Sequence, residues 1–182
     1  PFGLTEYPGF AANHDAMRYL LYIHNTLQDG ATVPPKQAER LLDYQQQIYT
    51  HRYFGQLVYS LARSRDWLNA STHLLESNEA NIICGANRNQ QKAVYLSNVF
   101  HRFFVGDIQP YLAELDSQYS QIQTPLKVIL QPPSAVSSHF NAYYQSYIAD
   151  ELHASFRDAI LKHVEFWQRT FKRCQLKPGT QN

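Results

Sequence analysis

Cysteine is scarce in this chain: Cys84 and Cys174 stand 90 positions apart, and neither has a cysteine or histidine nearby at metal-ligand spacing. That excludes a zinc knuckle and a disulfide-dense scaffold, and two isolated buried thiols in a reducing compartment are expected. Glycine is also sparse, with 7 residues and no cluster, so no phosphate-cradling loop can be drawn. No Gly-x-Ser-x-Gly elbow and no recognised nucleophilic cysteine setting occurs, which argues against local nucleophilic catalysis. Charge of one sign is missing as well. Sixteen Lys+Arg against 15 Asp+Glu leave +1, without the basic field that phosphate neutralisation needs. Arg63, Arg65, Lys172, Arg173 and Lys177 read as solvated helix faces, so no nucleic-acid partner is expected. No apolar run approaches 18 residues, and no membrane insertion is expected.

What the chain does have is apolar and aromatic residues at helical spacing. Hydrophobic residues make up 44% and aromatics 14% of 182 positions, enough for one domain spanning residues 1–182. No useful alternation with period two is present. The expected fold is all-α, a bundle of about six helices with an extended N-terminal arm and a long C-terminal helix.

Residues 1–12, with Pro1, Gly3, Pro8 and Gly9, read as the arm, and Asn13 as the cap of a first helix ending at Asp29-Gly30. Pro34-Pro35 opens a second helix, whose stripe of Ala38, Leu41, Leu42, Ile48, Tyr49, Leu57, Val58 and Leu61 crosses a possible bend at Gly55. Asp66 caps a third in this reading. A fourth, over roughly 88–104, turns Val94, Tyr95, Val99 and Phe103 inward and breaks at Gly106. Asp107 begins a fifth, which Thr124-Pro125 stops, and 123–138 becomes a proline-rich crossover loop. Ser137 or Ser138 then caps a helix over 139–173, about 50 Å if straight, so it must bend or project. His51-Arg52-Tyr53-Phe54 and His101-Arg102-Phe103-Phe104 echo each other, without a third copy to make a repeat.

Eight histidines invite a metal site. The best fragment is Asp150-Glu151-Leu152-His153, half of a carboxylate-x-x-His di-metal motif with no second half elsewhere. Neither a metal nor another cofactor is therefore expected, and no catalytic residue is assigned. The leading functional reading is a non-catalytic helical protein-interaction module, an adaptor, chaperone-like or scaffold subunit, because lysine is scarce and aromatics abundant. Its contact residues would be Phe2, Tyr7 and Phe10 of the arm, and Phe166, Trp167, Phe171 and Arg173 on the last helix. The partner would be another protein, a second copy included. The alternative is a globin-like helical protein binding a tetrapyrrole or another small apolar ligand, with Cys84, His101 and Phe104 at the pocket. The compartment expected is the cytoplasm, and a start at Pro1 rather than Met is expected of a trimmed or processed chain, which leaves room for an N-terminal address outside it.

Overall fold

The computed structural model describes residues 9–84, 90–133 and 137–176, and these are helical with no strand among them. Helix α1 spans Gly9–Gln28, α2 Pro35–His51, α3 Tyr53–Ser77, α4 Gln91–Val99, α5 Gln109–Ile129, α6 Ser138–Tyr143 and α7 Asp150–Cys174. Two π-helical stretches, Phe100–Ile108 and Tyr144–Ile148, follow α4 and α6. The described parts of Pro1–Leu61 and Glu114–Ala154 form one compact unit, and those of Ala62–Ala113 and Ser155–Asn182 a second. The boundary falls within α3, α5 and α7, so each of these helices supplies residues to both.

Several helix ends follow directly from residue chemistry. Gly30 takes φ 73°, which costs glycine nothing, and α1 closes there with Gly30 N–H donating to Leu27 O and Ala31 N–H to Thr26 O. Pro35 sits at the first position of α2, where its missing N–H has no partner to lose. Ser137 caps α6, its hydroxyl accepting from Phe140 N–H.

Other boundaries depart from the sequence expectations. The helix α1 already includes Gly9, Phe10, Ala11 and Ala12 of the expected arm. Asn13 lies inside α1 rather than capping it, fully buried, with Nδ2 donating to Gly9 O at 2.7 Å. The break after α2 comes at Arg52, not Gly55. Arg52 adopts the left-handed conformation, φ 49°, at a cost of about 1–2 kcal/mol, and its N–H donates to Ile48 O. That kink lets Tyr53 begin α3 wholly buried. Asp66 is interior to α3. Gly106 interrupts nothing: the chain stays helical from Gln91 to Ile129, with the wider π winding taking up Phe100–Ile108. Pro125 does not stop α5 either. It is itself buried, between Ile122 and Leu126, which are 0% and 2% exposed, and this burial offsets the hydrogen bond that proline removes. The expected crossover loop over 123–138 is therefore helical to Ile129 and again from Ser138. The long final helix bends at Ala149, whose ψ of −160° interrupts it before Asp150.

In the first unit the buried side chains come from α1 (Ala16, Met17), α3 (Tyr53, Leu57, Leu61), α5 (Leu115, Tyr119, Ile122) and the start of α7 (Leu152). Helix α2 fully buries none of its residues: of the stripe expected there, Leu42 and Tyr49 face outward and Leu41 and Ile48 are half-buried, while Leu57, Val58 and Leu61 lie buried in α3. The second unit is built on Leu68, Ala93, Phe104, Phe156, Ala159, Phe166, Trp167 and Phe171.

Candidate functional site

The end of α7 is amphipathic. Phe166, Thr170 and Cys174, four residues apart, are buried, as are Trp167 and Phe171, also four apart, while Gln168, Arg169, Lys172 and Arg173 are exposed. Phe166, Trp167 and Phe171 form a cluster of the second unit, with Leu75, Ile82, Leu96, Phe100 and Leu176 packed against it. These three rings, expected as an exposed contact patch, are thus held by the chain's own core.

Phe100 is the ring that organises the cluster. Its centroid lies 4.7 Å from Trp167, 5.0 Å from Phe171 and 5.3 Å from Phe104, distances typical of favourable aromatic pairs. His101 stacks on Phe171 at 5.8 Å, and its Nδ1 lies 2.8 Å from Ser97 O. On the inner side, Trp167 Nε1 donates to His163 Nε2 at 2.9 Å, and His163 Nδ1 meets Thr72 Oγ1 at 2.9 Å. Burial pushes the His163 imidazole below its ordinary value.

Outside this cluster a cleft of about 380 Å³ opens. Phe100, Val164, Trp167, Phe171 and Leu176 line it, and the exposed side chains of Gln168 and Lys172 form its polar edge. The volume falls at the small end of ligand sites, which run about 300–1,000 Å³. The arrangement can take an apolar group and hold one polar end. It contains no nucleophile–base pair.

A disulfide and salt bridges brace the same region. Cys84 and Cys174 are joined by a disulfide with Cα atoms 5.1 Å apart, which corrects the expectation of two free thiols. A separation of 90 positions leaves no spacing signal from which such a pair could be read. Bonded to Cys174, Cys84 cannot anchor a ligand covalently. Arg173 Nη1 meets Glu79 Oε1 at 3.0 Å, and Arg169 Nη2 meets Glu76 Oε1 at 3.3 Å.

A family model described as "Protein of unknown function (DUF3080)" matches residues 6–178. The chain belongs to this family. No curated protein and no solved structure matches it.

In this DUF3080 member the structure brings residues of both functional readings to one place: Trp167 and Phe171 from the contact set, His101 and Phe104 from the pocket set. Phe10 is elsewhere, in the first unit, half-buried with its ring 5.8 Å from Tyr53. Phe2 and Tyr7 lie outside the described residues. Asp150 and His153 are engaged separately. Asp150 pairs with Lys127 and accepts from Gln123 Nε2 at 3.0 Å, whereas His153 Nε2 lies 2.7 Å from Asp116 Oδ1. Among the described residues no group of three or more potential metal ligands converges. The sequence expectations do not include Phe100, Val164, Gln168, Lys172 and Leu176 as site residues. A usable signal exists: Ala93, Leu96, Phe100 and Phe104 recur at helical spacing beside the stripe of Val94, Tyr95, Val99 and Phe103.

Proposed function

We propose that this chain is a non-catalytic helical binding module that takes up a small apolar group in the cleft beside Trp167 and Phe171. The observation that carries the reading is the cleft itself, about 380 Å³, open on the outer side of Phe100, Trp167 and Phe171. Rings that are nearly buried yet line an open cleft can desolvate a ligand without rearranging the core. The test uses N-phenyl-1-naphthylamine, a neutral dye that brightens in apolar surroundings. Saturable binding is expected, lost on Val164→Trp, which fills the cleft, while the melting temperature holds. Absence of saturable binding to the folded protein would overturn the reading.

A second reading, the protein-interaction module, is favoured by a separate feature. Tyr95, Val99 and Phe103 are 60%, 50% and 49% exposed, four residues apart on the surface of the second unit. They were expected to point inward; Ala93, Leu96, Phe100 and Phe104 do so instead. Such a stripe fits the apolar face of a partner protein's helix. Changing all three to Ser should abolish pull-down of that partner while leaving dye binding intact; if pull-down survives, the stripe is not the contact.

No helix among the described residues is long and apolar enough to cross a membrane. The Cys84–Cys174 disulfide supports an oxidising compartment in place of the cytoplasm expected from composition.

A further inference from the structure

We infer that the cleft's ligand is a single-chain amphiphile with one carboxylate, its chain against Phe100, Trp167 and Phe171 and its head held by Gln168 and Lys172. The inference rests on the cleft being a binding site, and adds the class of molecule.

The shape of the cleft argues for a flexible chain. Phe100 is inclined 39° to Trp167 and 75° to Phe171, and Trp167 is inclined 39° to Phe171. Rings set at such angles offer no parallel walls to sandwich a planar macrocycle. A methylene chain can bend to follow all three faces, gaining hydrophobic burial along its length.

The rim argues for a carboxylate. Among the described residues three cations lie near the end of α7. Arg169 is matched by Glu76, and Arg173 by both the carboxylate and the backbone carbonyl of Glu79. Lys172, at the mouth of the cleft, pairs with no acidic side chain among the described residues. Glu165 lines the adjacent shallow groove with Gln168, Arg169 and Lys172, and does not line the cleft. Gln168 and Lys172 are four residues apart, so an amide N–H and an ammonium lie side by side on one helix face, about 5–6 Å apart at Cβ. Two oxygens of one head group can accept from both. The partial negative charge at the C-terminus of α7 disfavours a dianion such as a phosphate monoester, and phosphate sites favour forked arginines or helix N-termini. One unmatched ammonium among the described residues suits one negative charge.

The experiment is displacement of N-phenyl-1-naphthylamine from the full chain by dodecanoate and by 1-dodecanol, both below their aggregation limits. Dodecanoate should bind about tenfold more tightly than the alcohol, as a charge-assisted hydrogen bond implies. Lys172→Gln should erase that preference by weakening dodecanoate about tenfold, to the level of the alcohol; Lys172 is exposed and unpaired among the described residues, so the fold should hold. Equal affinity for acid and alcohol, or a preference that survives Lys172→Gln, would overturn the carboxylate anchor while leaving the cleft intact. Failure of both chains to displace a bound dye would overturn the chain ligand. Failure of the dye itself to bind would remove the binding module on which the inference rests.

Discussion

Trp167 donates its indole N–H to His163 Nε2, and this fixes the protonation of a buried imidazole. Thr72 donates its own hydroxyl to Leu68 O at 2.7 Å, so toward His163 it can act only as an acceptor, and Nδ1 carries the proton. A second proton would have to sit on Nε2, facing the indole N–H. Burial, meanwhile, holds the folded imidazole below its ordinary value. The unfolded chain protonates near pH 6.5, roughly, so below that point it binds more protons than the folded one and stability falls as pH falls. Urea unfolding at pH 7.5 and 5.5 should show this loss, and His163→Phe should shrink it. The variant should also lose about 1–3 kcal/mol at pH 7.5, because the buried Trp167 N–H is left without an acceptor. An unchanged pH dependence in the variant would show that His163 does not contribute to it.

Leu115 and Leu42 separate packing from mere periodicity. Leu115 is 0% exposed and Leu42 is 70% exposed, although both sit in apolar stripes of the sequence. Leu115→Ala should cost about 2–5 kcal/mol through the cavity it leaves. Leu42→Ala should stay within about 0.5 kcal/mol of wild type. Chemical denaturation of the two variants side by side checks the contrast, and equal losses would contradict the outward orientation of Leu42.

That contrast shows what was legible and what was not. Helical period, Pro35 at a start, Gly30 at an end and Ser137 at a cap were readable because each acts through local chemistry. The inward face over 91–104 was not, because Val94, Tyr95, Val99 and Phe103 compete with Ala93, Leu96, Phe100 and Phe104 as two apolar stripes of one segment. Period alone cannot choose between two such stripes. Gly106 and Pro125 read as breaks from propensity, yet tertiary burial and π winding carry the helix through both. Trp167 and Phe171 were found as residues, but their partner Phe100 lies 67 positions before Trp167 in the sequence, beyond any local pattern.

Tyr53 donates its hydroxyl to Gln118 Oε1, and Gln118 Nε2 donates in turn to Glu114 at 3.0 Å. Gln118 is 2% exposed, so Tyr53→Phe strands its oxygen and should cost about 1–3 kcal/mol. Burial first and the Glu114 charge second raise the Tyr53 phenol above its ordinary value. A raised phenol keeps its proton in the folded state after the unfolded one has begun to lose it near pH 10, roughly, so stability falls above that pH. Tyr53→Phe should therefore lower stability at pH 8 and weaken its alkaline dependence. Denaturation at pH 8 and pH 10.5 measures both, and a variant as stable as wild type would contradict the buried bond.

The Cys84–Cys174 disulfide closes a loop spanning 90 positions, and joins the stretch after Ile82 to the last turn of α7. In the chain-entropy account a loop of that length stabilises by about 4–5 kcal/mol, a large share of the about 5–15 kcal/mol that domains possess. Reduction, or Cys84→Ser with Cys174→Ser, should therefore lower the melting temperature by many degrees. The consequence should reach the cleft. Ile82 and Leu176 stand two residues from the bonded cysteines and pack on the Phe166–Trp167–Phe171 cluster, and Leu176 also lines the cleft. Once the bond opens, both lose their tether, and dye affinity should drop even at temperatures where α-helical circular dichroism persists. Thiol titration of denatured protein from an oxidising compartment should find no free thiol, and protein kept under reductant should show two. Free thiols in the oxidised preparation, or reduced protein that melts and binds dye as the oxidised form does, would show that the bond neither forms nor supports the cleft.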